Sequence, residues 1–130
     1  MKNFWDARDH CRNEGAYLAY PTSDAENKFI SGLNPTSGSW IGVNDIEKEG
    51  EWVLDNGSVI SYKNWGSGQP TNGNALRDGA VIVGSNTTVN TLSAGEWFDG
   101  YKLSSRRFVC YFRIESKSIK ILSYGQFPGI

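Results

Sequence analysis

Residues 39–57 read SWIGVNDIEKEGEWVLDNG, and a change of texture that begins here decides the fold. Ser39–Val43 and Glu51–Leu54 are short runs rich in β-branched and aromatic residues, the composition of half-buried strands. Asp55-Asn56-Gly57 then separates the second run from Val59–Tyr62 and reads as a hairpin-type turn. Downstream, Ala80–Val83 and Arg107–Ile114 have the same β-like texture. Between them, residues 64–79 and 84–95 are rich in Gly, Asn, Ser and Thr and show no periodicity. Loops of this length inside a compact domain are usually functional or disordered.

Upstream of this stretch the period is helical. Phe4, Ala7 and Cys11 recur at i, i+3 and i+7, while Asp6, Arg8, Asp9, Arg12 and Asn13 fall mostly elsewhere. Gly15 is placed to stop that helix. A second helix is predicted from Ser23, because Ser23-Asp24-Ala25-Glu26 has the S-x-x-E form of a capping box. Ala25, Phe29 and Leu33 are its expected buried face. Asn34-Pro35 ends it, since the residue before a proline disfavours the α conformation. The expected architecture is α+β: two helices, then a small antiparallel sheet with a large loop excursion.

The 130 residues amount to one domain, long enough to bury a core without staples. Thirteen basic against fourteen acidic residues leave a net charge of −1, which argues against a nucleic-acid binder. Arg106-Arg107 is too short to be a nucleic-acid patch. No apolar run approaches the roughly 18 residues of a membrane span, so direct membrane insertion is not expected. Met1 leads directly into charged, helix-like sequence rather than a signal peptide, so a secreted origin requires a leader outside these residues. The only histidine is His10 and there is no CxxC pair, which nearly excludes structural zinc. Cys11 and Cys110 are either two buried thiols or one long-range disulfide, and composition does not choose between them. Catalysis finds no support: with one histidine there is no Ser-His-Asp or Cys-His arrangement, and no phosphate-binding fingerprint is present.

Read together, these segments resemble the C-type lectin-like domain. Phe4-x-x-Ala7-x-x-x-Cys11 followed by Gly15-x-x-Leu18-Ala19 looks like that family's first helix and the turn after it, with Phe4 where tryptophan is more usual. Trp40-Ile41-Gly42-Val43 looks like its WIGL core strand, and Gly50-Glu51-Trp52 with Asp55-Asn56-Gly57 like the next hairpin. Asn64-Trp65-x-x-Gly68-Gln69-Pro70 matches the entry to its long loop. Gly95-Glu96-Trp97-Phe98-Asp99 stands where the family has its WND motif, and Phe108-Val109-Cys110 matches its closing strand. Each motif is weak alone; in this order and spacing, over roughly residues 4–112, they are specific.

The resemblance implies a disulfide between Cys11 and Cys110, joining the first helix to the last strand. It also implies packing anchors at Trp40, Trp52, Trp65 and Trp97. The family's second disulfide is absent, its positions falling on Gly79 and Lys102, so packing, with or without a bound ion, should hold the long loop. The family's opening strand is also absent. Residues 1–116 are expected to form the lectin-like domain, with 117–130 as a C-terminal segment. Its Lys117–Tyr124 part is expected to fold back and supply the missing strand, because the final strand otherwise keeps an unpaired edge.

Sugar-binding members of that family hold calcium through a QPD or EPN triplet, a later glutamate and the Asn-Asp of WND. Position by position, that site is damaged here. Thr71 replaces the triplet's carboxylate, Arg77 stands at the glutamate and Phe98 at the Asn, leaving Gln69 and Asp99. No cofactor is therefore required. A secondary calcium site is better preserved in Asp45, Glu49 and Asp78, with Asn72 nearby. Either calcium or the Arg77 guanidinium as a built-in cation could balance these carboxylates, and Arg77 is favoured because it occupies a ligand position. The expected function is a non-catalytic recognition module, extracellular or at the cell surface. It would bind a protein or cell-surface receptor through the polar face bearing Gln69, Thr71, Asn72, Asn74, Arg77 and Asp99. The alternative is a glycan-binding lectin domain using an atypical calcium site or direct hydrogen bonds. A third class is a structural or ice-binding module. Nothing in the sequence sets an oligomeric state.

Overall fold

The structure, a computed structural model, describes residues 1–71, 76–114 and 118–124. Helix α1 spans Phe4–Asn13 and buries Phe4, Ala7 and Cys11, the face its periodicity predicts. The Asn3 side chain caps it by accepting the Asp6 N–H at 2.8 Å. Gly15, at φ +75°, turns the chain out of the helix. Strand β1 (Tyr17–Leu18) follows, then helix α2 (Asp24–Leu33).

The N-terminus of α2 departs from the expected capping box by one residue. Ser23 Oγ accepts the Glu26 N–H as predicted, but the Glu26 carboxylate reaches back to the amide and hydroxyl of Thr22. The buried face of α2 also differs from expectation. Ala25 and Phe29 are exposed and Leu33 is only partly buried, whereas Asn27, Ile30, Ser31 and Asn34 are buried. These four fall at i, i+3, i+4 and i+7. The helix docks largely by hydrogen bonds: Asn27 Nδ2 donates to the Gly95 carbonyl (3.0 Å), and Ser31 Oγ to that of Val83 (2.8 Å). An apolar-periodicity argument does not register such a face.

The remaining strands are β2 (Gly38–Asn44), β3 (Val53–Leu54), β4 (Gly79–Val83), β5 (Trp97–Gly100), β6 (Arg107–Ile114) and β7 (Ser118–Tyr124). They form one sheet in the order β1-β6-β2-β4-β5, with β3 paired to β2 and β7 to β6. The sheet is mixed rather than purely antiparallel: β2 and β6 run parallel through Ser39↔Arg107 and Trp40↔Phe108. Val59–Tyr62 is not a strand. Its ladder stops at one bridge, Val53↔Val59, while Ile60 and Tyr62 pack against the core from an irregular backbone. Strand β7 pairs antiparallel with β6 from Val109↔Tyr124 to Ile114↔Ser118.

Both sheet faces are covered, which explains the near-continuous apolar runs of β2 and β4. Trp40, Val81 and Val83 point to one side, where Phe4, Ala7, Phe98 and Phe108 join them. Ile41, Val43, Ala80 and Ile82 point to the other, against Tyr20, Ile30, Trp97 and Tyr111. The disulfide Cys11–Cys110, with Cα atoms 5.2 Å apart, ties α1 to β6 across the first layer. At Gly79 a Cβ would lie 2.6 Å from the Phe4 ring and 3.0 Å from that of Trp40. Aromatic packing thus fills the space beside Gly79.

Candidate functional site

The entry to the long loop is anchored by backbone to β5. Gly66 N–H donates to the Trp97 carbonyl and Trp97 N–H to that of Asn64, each at 2.9 Å. Asn64 Nδ2 adds a bond to the Gly95 carbonyl (2.7 Å). The Trp65 ring lies edge-on to Trp52 and Trp97, with centroids 4.8 and 5.4 Å away. Trp40, Trp52 and Trp97 are buried and Trp65 partly so, as packing anchors should be. The loop then presents Gln69-Pro70 in the cis form.

Four of the predicted contact residues meet at this point. Asp99 Oδ2, on β5, accepts the amide (3.1 Å) and hydroxyl (2.6 Å) of Thr71. Gln69 Oε1 accepts the Asp99 N–H at 3.3 Å, and Arg77 donates to the Asp99 carbonyl at 3.2 Å. Thr71 and Arg77 are exposed, Gln69 is half-buried and Asp99 is 1% exposed. Asp99 therefore holds the others in place rather than offering a surface of its own. Asn72 and Asn74 lie outside the described residues. The Thr71 hydroxyl and amide both bond to one Asp99 carboxylate oxygen, and the Arg77 guanidinium bonds to the Asp99 backbone carbonyl.

The second predicted group does assemble. Asp45, Glu49 and Asp78 each offer an oxygen within 4.8 Å of the others. Asp45 and Asp78 are buried and Glu49 is exposed. The Asp45 N–H donates to the Asp78 carbonyl (3.1 Å), and the Gly50 N–H to Asp45 Oδ2 (2.8 Å). Asp45 Oδ1 and Asp78 Oδ1 are buried with no hydrogen-bond partner. Burial above all, and then Asp78 and Glu49, push the Asp45 carboxyl up to about 7, against the downward pull of the Gly50 N–H. Three hard oxygen donors with two orphaned buried lone-pair sites suit a calcium ion.

The built-in cation at this cluster is not Arg77, as the sequence suggested, but Lys102. Its Nζ lies 3.2 Å from Asp78 Oδ2, whereas Arg77 is turned to the Asp99 carbonyl. Lys102 stands two residues past the end of β5. The backbone there is fixed by bonds from Phe4 N–H to the Lys102 carbonyl (3.0 Å) and from Lys102 N–H to that of Leu76 (2.8 Å). Nothing in the sequence around Lys102 marks it as a counter-cation. Around the same loop Leu76, Tyr101 and Leu103 are exposed apolar side chains. Among the described residues no helix is long and apolar enough to cross a membrane.

A sequence profile of the family described as "Lectin C-type domain" matches residues 1–112. Collectin-10 of Gallus gallus is 34% identical over 115 residues, covering 85% of this chain and 38% of the relative. Tetranectin of Mus musculus is 30% identical over 121 residues, covering 87% and 56%. The chain thus spans little more than a third to about half the length of these curated relatives. Among solved structures, the mouse scavenger receptor C-type lectin carbohydrate-recognition domain superposes with a TM-score of 0.72 at 31% identity. That match covers 84% of this chain and 79% of the other.

Proposed function

The chain belongs to the C-type lectin domain family, and on that premise we propose that it is a non-catalytic, extracellular or cell-surface recognition module. It binds a protein or cell-surface receptor through the long-loop face without the usual calcium-mediated sugar site. The supporting observation is the bonding at Asp99: Thr71 holds one of its carboxylate oxygens, Gln69 its N–H and Arg77 its carbonyl, so the chain's own side chains engage the residue that would otherwise face a sugar-binding cation. The exposed Leu76, Tyr101 and Leu103 beside Arg77 give that face the mixed apolar and cationic character of protein interfaces. The disulfide agrees with an oxidising compartment.

A second reading has its own support. The orphaned oxygens of Asp45 and Asp78 favour calcium at the secondary cluster, where it would stabilise the loop for glycan contact. A glycan array with and without chelator, run beside binding to protease-treated and untreated cells, separates the two. The first reading expects no chelator-sensitive glycan, cell binding that protease removes, and loss of that binding in Arg77→Glu. A glycan signal abolished by chelator would overturn it in favour of the second.

A further inference from the structure

Between α1 and the connection from β2 to β3 lies a cleft of about 370 Å³, which shares no residue with the long-loop face. Trp5, Arg8 and Arg12 form one wall from a single side of α1, and the partly buried Ile46, Val53 and Leu54 form the other. The two arginines are placed differently. Arg12 donates to the Asp55 carboxylate (3.2 Å) and carbonyl (3.3 Å), while the other Asp55 oxygen accepts the Leu18 N–H (3.0 Å). Arg8 has no such partner. Its guanidinium carbon lies 4.6 Å from the centroid of the Trp5 ring, and it makes no hydrogen bond or ion pair among the described residues. Its Nε is closed off from solvent without an acceptor.

Arg8 shares this end with a further donor. The Trp5 indole N–H has no acceptor among the described residues. Asn44, also on the lining, accepts the Ile46 N–H through its Oδ1 (3.1 Å). Burial first, and the Arg12 charge second, pull the Arg8 guanidinium below its ordinary value, against the smaller upward pull of the Asp55 and Asp9 carboxylates. An anion between the two arginines would relieve both. The one unengaged carboxylate on the lining, Glu47, is exposed at the rim. A partly desolvated guanidinium whose Nε–H is buried without an acceptor is a costly arrangement, and the ligand that repairs it brings oxygen acceptors and negative charge.

We propose that this cleft binds a small organic oxyanion, a carboxylate or sulfate ester, whose anionic group docks on Arg8 while its apolar part lies against Ile46, Val53 and Leu54. A neutral sugar suits it less well. Arg8 already lies against the Trp5 ring and the Lys102 ammonium is 5.9 Å from that ring's centroid, so stacking there is obstructed. A bare inorganic anion would leave the apolar wall unused.

The test is an NMR titration of the full oxidised chain that follows the Trp5 indole N–H and the Arg8 Nε–H. The probes are benzoate, phenyl sulfate and inorganic sulfate. Saturable shifts of both signals with benzoate or phenyl sulfate are expected, and the tighter of the two identifies the anionic group. Inorganic sulfate should bind about tenfold more weakly, and Arg8→Gln should lose about tenfold or more in affinity for the aryl probe. Arg77→Gln, on the other face, should change nothing. If Arg8→Gln does not give a native spectrum, Arg8→Lys carries the test, since it keeps the charge but loses the planar fork and should bind more weakly. No saturable shift with either aryl probe, affinity indifferent to Arg8, or inorganic sulfate binding as tightly as phenyl sulfate would each overturn the proposal.

Discussion

Lys102 and Arg77 are both cations near the same acidic residues, yet their geometry gives them separate tasks. Lys102 neutralises Asp78 within the cluster, and Arg77 closes the Asp99 group. The acidic cluster was legible in the sequence because its three members match a family pattern of carboxylates. Its counter-cation was not, because an ammonium on a flexible stem leaves no motif and Arg77 stood at a conspicuous ligand position. Asp45 makes the cluster pH-sensitive. Its native carboxyl, pushed up to about 7, keeps a proton that the unfolded chain, at about 3.8, has already shed. Stability without metal should therefore fall as pH rises from about 4 toward 7, with the full loss in place above that value. Calcium takes the ionised form, so its stabilising effect should run the other way and be larger at pH 8 than at pH 5.5. In thermal melts at pH 8, Lys102→Gln should lower the metal-free midpoint and enlarge the calcium-induced rise, because the ion no longer competes with an internal ammonium. Arg77→Gln should leave that rise unchanged. The opposite ranking would return the counter-cation role to Arg77, and no calcium shift in any variant at pH 8 would remove the metal site altogether.

Helix α2 separates what sequence patterns can resolve from what they cannot. Its limits were legible from Ser23 and Asn34-Pro35, since caps and prolines act on the local backbone. Its buried face was not, because Asn27 and Ser31 bond to groups on residues far along the chain. Asn27 Oδ1 accepts the indole N–H of the fully buried Trp97 at 2.8 Å. The Gly95 carbonyl would keep its bond from Asn64 if Asn27 were truncated, but the Trp97 N–H would be left buried and unpaired. Asn27→Ala should accordingly cost about 1–3 kcal/mol in a denaturant titration. Phe29→Ser, on the face that apolar periodicity favoured, should change stability by no more than about 0.5 kcal/mol. A reversal of those two results would mean the helix is rotated from the orientation described. The strands divide in the same way. Strands β2, β4 and β6 announce themselves as apolar runs, whereas the two residues of β1 and the mixed WFDG of β5 form because longer strands template them. The parallel pairing of β2 with β6 joins segments more than 60 residues apart in the chain, a distance at which local patterns carry no information.

At the scale of the molecule, much of the order converges on β6. Cys110 is bonded to Cys11 of α1, faces Leu18 of β1, and faces Ser123 of β7, while Phe108 pairs with Trp40 of β2. The disulfide closes a loop with a sequence separation of 99, which the chain-entropy account values at about 4–5 kcal/mol. Reduction should therefore lower the melting midpoint sharply without abolishing the two-layer core, whose large side chains pack independently of it. Strand β7 bears on a different part of β6. Beyond Tyr111, the residues Phe112, Arg113 and Ile114 find their ladder partners in Lys120, Ile119 and Ser118. Without that strand the edge would expose unpaired N–H and C=O groups, a template for association with a second chain. Deleting 117–130 from the oxidised protein is thus expected to unfold the domain or lower its midpoint strongly, and whatever folded fraction survives should self-associate at higher concentration. An unchanged midpoint in a variant that stays monomeric would mean that residues 1–116 complete the domain alone, and that the C-terminal segment lies against β6 without supporting it.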